Sequence, residues 1–333
     1  MDDCLLGLAA GVFRVRPDDL RPLYGGHAAS VFEFQRDGRF YVLRILPPAA
    51  QVARAQIAAA QAWMAYLADH GVPVPRALPT VDGDWVATVG LEGSSYLVVA
   101  MDRAEGIRAE LLPPERWDDT LFAAIGSMVG RMHAVAMGYE PPAGMRCAAW
   151  DQGTNLFYAP DLRAGEAAWL APEADEIMGA LRTLPKTRES YGLAHLDLHF
   201  ANFLIDQDSG TFSVIDFDDC GYGWYLMDTA VLLFDVLVLY RGEDRAAFVE
   251  RFMRAYLEGY REHKRLDGAW LLKLPLFLKL LEINVYGAVL PYYDPSAEET
   301  DSWVAAFMSG RRERLAGREL YVDYDFARLA GGA

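Results

Sequence analysis

The chain has 333 residues, enough to bury a sizeable core in one large or two moderate domains. Its 53% hydrophobic and 23% charged residues are an ordinary globular balance. The net charge of −16, with no Lys/Arg-rich run, argues against a nucleic-acid backbone as partner, because that affinity comes mainly from basic side chains.

Cys4, Cys147 and Cys220 have no paired spacing, which suits a reducing cytosol and argues against a disulfide scaffold or a zinc knuckle. The opening MDDCLLGLAAGVF is acidic where a signal peptide is basic. The most apolar run, 229–240, is too short to span a bilayer and contains Asp235. A soluble cytoplasmic protein is expected, without membrane contact, as a monomer or homodimer.

Residues 1–18 predict a short amphipathic helix with Leu5, Leu6, Ala9 and Phe13 on one face. Gly25-Gly26-His27-Ala28-Ala29-Ser30 follows, a small-residue loop that lets backbone N–H groups approach phosphate oxygens without Cβ clashes. It is not a Walker A motif, since no Gly-Lys-Ser/Thr follows. Val31–Phe34 and Phe40–Ile45 read as strands joined at Asp37-Gly38, and the second carries one basic residue, Arg44. Pro47-Pro48 opens an alanine-rich helix to about His70, stopped by Gly71 and Pro73. Trp85–Val89 and Tyr96–Met101 complete a small antiparallel sheet, and residues 102–106 are the expected lobe boundary.

Residues 113–138 predict a helix with Leu121, Ile125, Met128 and Met132 on one face, where His133 is a core or capping residue. A further helix is expected over 172–184, with Pro172 in its first turn. After residue 226 the chain reads as helices over 227–241, 246–263, 269–290 (kinked at Pro275) and 302–315.

The segment 191–228, YGLAHLDLHFANFLIDQDSGTFSVIDFDDCGYGWYLMD, carries the chemistry. Phe203-Leu204-Ile205 and Phe212-Ser213-Val214-Ile215 read as a hairpin around the turn formers 206–210. That hairpin brings Asn202 toward Asp216, with Asp197 one loop upstream, and three oxygen-bearing side chains on one point suit a hard cation. His195 and His199, spaced i, i+4, also admit a metal-hydrolase reading, but no Glu follows the first His and no long helical period surrounds them.

Together, His195, Asp197, Asn202 and Asp216-Phe217-Asp218-Asp219 resemble the catalytic core of the protein-kinase-like fold, in the version of aminoglycoside phosphotransferases, choline kinases and type II homoserine kinases. The resemblance implies an α+β, two-lobe fold: a small antiparallel-sheet lobe over 1–101 that binds nucleotide, and a mostly helical lobe over 102–333. It implies a kinase that uses ATP, with GTP as the alternative, and Mg²⁺ to phosphorylate a hydroxyl. Asp197 is then the catalytic base or orienting group, and Asn202 and Asp216 are the metal ligands. His195, His199, Asp218 and Asp228 support the loops. Gly25, Gly26, His27, Ala28 and Ser30 cover the nucleotide, Arg44 meets its phosphates, and Val99 and Met101 lie at the adenine.

Two departures stand out. Arg44 replaces the usual Lys, and the helix Glu that pairs with it is missing near Ala60, where only Gln56 and Gln61 are close. For the acceptor, Trp224, Tyr225, Glu282 and Tyr286 suggest aromatic and carboxylate contacts to a small, cationic hydroxyl compound. The competing readings are a bacterial Ser/Thr protein kinase of the stress-response type and a nucleotide-binding pseudokinase.

Overall fold

Alternating apolar residues build the first sheet. The computed structural model describes residues 2–23, 29–48, 54–152, 157, 162, 165–207, 210–294 and 301–330. The chain divides into two compact units. The first comprises Met1–Ile107, Tyr139–Cys147 and Leu204–Asp218, and the second Arg108–Gly138, Ala148–Phe203 and Asp219–Ala333.

In the first unit, α1 (Asp3–Gly11) starts at Asp2, whose carboxylate accepts from the N–H groups of Cys4 and Leu5. Then come β1 (Arg21–Leu23), β2 (Ser30–Arg36), β3 (Arg39–Leu46), α2 (Arg54–Asp69), β4 (Ala77–Leu78), β5 (Ala87–Leu91) and β6 (Ser94–Asp102). These strands form an antiparallel sheet in the order β1-β2-β3-β6-β4, with β5 also on β6. Phe32, Phe34, Leu43, Ile45, Val98 and Ala100 bury one face beneath Leu5, Ala9 and Phe13 of the N-terminal helix region. Period-two alternation in β2 and β3 puts these residues on one side. The glycine loop Gly25, Gly26, His27, Ala28 lies outside the described residues.

The hairpin Leu204–Asp218 also belongs to this unit. Its strands β9 (Phe203–Ile205) and β10 (Phe212–Val214) form a three-stranded sheet with β7 (Ile107–Arg108), in the order β10-β9-β7. Gly106 has φ +117, and a Cβ there would collide with the backbone of Ile205, so only glycine permits this approach. Val214 N–H donates to Pro73 O at 3.1 Å, and Phe217 meets the Trp63 ring edge-on at 5.3 Å.

The second unit contains α3 (Asp119–Ala136), α4 (Ala171–Arg182), β8 (Tyr191–Ala194), β11 (Gly221–Trp224), α5 (Leu226–Leu239), α6 (Arg245–Tyr260), α7 (Gly268–Leu271), α8 (Leu274–Val289), α9 (Ser302–Met308), α10 (Arg311–Ala316) and α11 (Ala327–Ala330). The α+β class, with a sheet-rich first part and a helical remainder, is as expected. Helices α3 and α6 touch at glycine: a Cβ on Gly126 would strike Tyr256 O, and one on Gly259 would strike Ala123 O. Helix α5 is buried almost from end to end, which explains its near-continuous apolar sequence.

Two helix readings are corrected. Pro275 does not kink one long helix but sits in the first turn of α8, after α7 has ended, where its missing N–H costs nothing. The helix expected over 302–315 breaks at Gly310, φ +62, into α9 and α10. By length and composition the stretch Gly268–Tyr292 would suffice to cross a membrane, but 61% of its apolar 18-residue window is buried within this fold.

Candidate active site

The loop that carries Asp197 leaves β8, which pairs antiparallel with β11 in the register Ala194↔Gly221 to Tyr191↔Trp224. Its second residue, Leu196, is a fully buried non-glycine at φ +63, a conformation that persists only if its surroundings impose it. Asp228, in the first turn of α5, imposes it. Its Oδ1 accepts from Leu196 N–H at 2.7 Å, and its Oδ2 accepts from His195 N–H at 3.0 Å.

A second tier holds Asp228. His133 Nε2 lies 2.9 Å from Asp228 Oδ2, and His133 Nδ1 lies 2.9 Å from the Tyr260 hydroxyl. Burial pushes the His133 pKa down and the Tyr260 pKa well up, so both are neutral. The consistent proton arrangement has Tyr260 O–H donating to Nδ1 and Nε2–H donating to Asp228. Burial alone would raise the Asp228 pKa. The bond from His133 and the backbone N–H of His195 outweigh it and keep the carboxylate ionised. His133 is thus more than the core or capping residue its sequence suggests.

Asp235 repeats the device two turns along α5. Its Oδ2 accepts from Phe200 N–H at 2.9 Å and its Oδ1 from Trp303 Nε1–H at 2.7 Å. Sequence reasoning passed over this residue; the available signal was one acid in an otherwise apolar run, seven residues after Asp228.

Between these anchors lie Asp197 and Asn202. Asn202 Nδ2 donates to Asp197 O at 2.8 Å and approaches Asp197 Oδ2 at 3.4 Å, which leaves the amide oxygen as the donor atom for a cation. His199 Nε2 is 3.6 Å from Asp197 Oδ2. Burial works to lower the His199 pKa, but the close approach of Asp197 and the charges of Asp197, Asp235 and Glu110 raise it to about 9. Protonated His199 is a donor, so the 3.2 Å approach of Asn202 Nδ2 to its Nε2 is a packing contact.

In the first unit, Arg44 lies in the middle of β3, opposite Val31 on β2 and Val99 on β6. Its Nη1 donates to Asp218 Oδ1 at 3.0 Å and its Nη2 to Asp218 Oδ2 at 2.6 Å, while Nη2 also lies 3.4 Å from Asp216 Oδ1. Asp216 itself has φ +63. Gln56 Nε2 donates to the backbone carbonyl of Asp218 at 3.3 Å, and Ala60 is buried. Ser30 pairs with Ile45 at the start of β2. Val99 and Met101 are buried within β6, and Met101 pairs with Val42 on one side and Ala77 on the other.

The four residues expected at the acceptor are not presented to solvent. Trp224, Tyr225, Glu282 and Tyr286 are exposed by 0%, 1%, 0% and 2%. Trp224 Nε1–H donates to Pro185 O, and Lys264 Nζ lies over the Tyr225 ring at 4.8 Å. Glu282 receives Arg311 at 2.6 Å and Lys279 at 3.0 Å, one on each oxygen. These side chains fill the core of the second unit.

No group of three or more His, Cys, Asp or Glu among the described residues forms a metal cage. Taken singly, the amide oxygen of Asn202 and the carboxylate oxygens of Asp216 are of the hard-donor type that a hard cation takes.

Residues 19–266 match the phosphotransferase enzyme family. The chain is 33% identical over 311 residues to an amicoumacin kinase of Bacillus subtilis (strain 168), covering 90% of this chain and 88% of that one. Among solved structures, amicoumacin kinase hAmiN in complex with AMP-PNP, Ca²⁺ and Ami superposes with a TM-score of 0.85 at 28% identity, covering 98% and 97%. A microcompartment-associated aminopropanol kinase superposes at 0.72 and 23% identity, covering 96% and 99%, and shares the fold.

Proposed function

Since the chain belongs to the phosphotransferase enzyme family, and is a small-molecule kinase acting on an alcohol group, we propose that it transfers the γ-phosphoryl of ATP, with Mg²⁺, to a hydroxyl of an amine-bearing compound. The amicoumacin kinase relative makes amicoumacin the first acceptor to try.

The observation that carries this reading is the loop itself. Asp197 stands five residues before Asn202, on a backbone clamped at three N–H groups by the buried carboxylates of Asp228 and Asp235. Phosphoryl transfer needs little covalent chemistry from a protein; it needs reacting groups held in line and charge neutralised. In this reading Asp197 accepts or orients the acceptor hydroxyl proton. Asn202 offers an amide oxygen and Asp216 a carboxylate oxygen to the metal, which when bound neutralises phosphate charge. Arg44 adds a fixed cation for the nucleotide phosphates.

An amine-bearing acceptor is supported by the charge around the loop. The charges of Asp197 and Glu110 both act on His199, so acidic side chains lie beside the loop that would hold the reacting hydroxyl. The proposed acceptor surface therefore moves from the buried Trp224, Tyr225, Glu282 and Tyr286 to the residues that flank the catalytic loop.

The test is a phosphorylation screen with ATP and Mg²⁺ over amicoumacin, amino alcohols, homoserine, aminoglycosides, neutral alcohols and a serine peptide. Turnover on amine-bearing compounds is expected, lost to a chelator and restored by Mg²⁺ or Mn²⁺. Turnover confined to neutral alcohols or to the peptide would remove the amine-bearing acceptor.

A further inference from the structure

The strand cation has no acidic partner on the helix that follows it. The carboxylate in α2 is Asp69, at the far end, and it binds Arg76 at 2.6 Å. Gln56 and Gln61 are the polar residues nearest the expected place, and Gln56 reaches the backbone carbonyl of Asp218. A lone guanidinium there would be a poor fixed point, because a long side chain left to itself samples many rotamers.

Asp218 supplies what α2 does not. Both of its carboxylate oxygens accept from Arg44, at 3.0 and 2.6 Å, with the guanidinium and the carboxylate side chains exposed by only 13% and 20%. This fork-to-fork geometry suits arginine and could not be made by the single ammonium of lysine. It gives a reason for Arg at this position. The same Nη2 stands 3.4 Å from Asp216 Oδ1, so one guanidinium fixes the spacing between β3 and the carboxylate offered to the metal. The hairpin end is itself held by Gln56 on Asp218 O, by Phe217 against Trp63 and by Val214 on Pro73 O.

We infer that Asp218 is the positioning residue for Arg44, taking the place of the absent helix carboxylate, and is not a second metal ligand. A carboxylate with both oxygens already accepting from a guanidinium is a weaker ligand for a divalent cation, since the guanidinium draws on the same charge that the cation would need. This rests on the kinase reading above, since it assigns what Arg44 is positioned for.

The experiment is a double-mutant cycle of Arg44→Lys and Asp218→Asn in the full chain, with folding checked by thermal melts. Nucleotide affinity is read by calorimetry with AMP-PNP and Mg²⁺, and the apparent Mg²⁺ requirement by titration of turnover. Loss of one charged hydrogen-bonded partner predicts that each single variant weakens AMP-PNP binding about tenfold. The double variant should be no weaker than the worse single, because both changes break one interaction. The Mg²⁺ requirement should stay unchanged in Asp218→Asn. Losses that multiply to about a hundredfold overturn the inference, and so does a Mg²⁺ requirement raised about tenfold with nucleotide affinity intact, which would make Asp218 a metal ligand. Where Asn disturbs folding, Asp218→Ser gives the same readout. A wild-type protein that binds no AMP-PNP overturns the kinase reading, and this inference with it. Wild-type binding with multiplicative variants overturns the inference alone.

Discussion

Two carboxylates do similar jobs in very different settings. Asp228 is fully buried, ionised, and surrounded by two backbone N–H groups and a neutral imidazole. Asp218 is partly open and meets a formal cation. In the first setting, the hydrogen bonds exist because water cannot replace them, so the geometry of Leu196 is fixed before any substrate arrives. In the second, solvent screens the pair, and its contribution lies in direction more than in stability. The loop with Asp197 is anchored for permanence. Arg44 is held by a contact of moderate strength, suited to the phosphate-binding role proposed for it.

The sharpest way to break this contrast is to remove each carboxylate. Asp228→Ala leaves His195, Leu196 and His133 without their acceptor and should cost about 3–5 kcal/mol in denaturant unfolding. Asp218→Ala should cost about 1 kcal/mol or less. Equal losses would mean that burial does not separate the two.

Glu282 offers a control of comparable size. Its replacement by Gln strands Arg311 and Lys279 in the core, so stability should fall by about 3 kcal/mol while the acceptor KM stays at its wild-type value. A raised KM in a protein of unchanged stability would return Glu282 to the acceptor. Smaller in free energy is Asp197→Asn, expected to slow transfer by at least about a hundredfold with melting temperature and nucleotide binding preserved. Near-normal turnover would take the catalytic role from Asp197.

The smallest effect is on pH dependence and comes from the second tier. Burial lowers the His133 pKa below its ordinary 6.5, so the unfolded chain binds the proton more readily than the native one. Stability is therefore complete above pH 6.5 and declines as the pH falls below it. His133→Gln should cost about 1–3 kcal/mol at neutral pH and reduce that slope. Unfolding curves from pH 7.5 to 5 check it, and a slope identical to wild type would mean that His133 is not the group resisting protonation.

Sequence served well where the information is local. The spacing of Asp197 and Asn202, the hairpin behind them and the anchoring place of Asp228 all lie within 38 residues of chain. It served less well where partners are distant. Arg44 and Asp218 are 174 positions apart, and His133 and Asp228 are 95 apart. Periodicity could show that His133 faces a core but not that a carboxylate waits there. The same blindness affected Glu282. A charged residue on a helix reads as solvent-facing until its compensating Arg311, 29 positions on, is known. Short pairings such as β8 with β11 also escaped, because four-residue strands carry too little alternation to register.

Leu196 has one more consequence. Its two methyl groups stand where side chains on Gly221 and Gly223 would begin: a Cβ on either glycine would lie 3.0 Å from a Leu196 methyl carbon. At Gly223 that volume is shared with the flexible end of Met227, 2.7 Å away, whereas at Gly221 the backbone oxygen of Ala148, 2.8 Å away, excludes a side chain whatever stands at 196. Among homologous chains a glycine at the position of Leu196 should therefore travel with Ala or Ser at the position of Gly223, while that of Gly221 stays glycine. A chain with bulk at both the Leu196 and Gly223 positions, or at neither, should be rare, since the first overfills the space beside the loop that carries Asp197 and the second leaves it hollow.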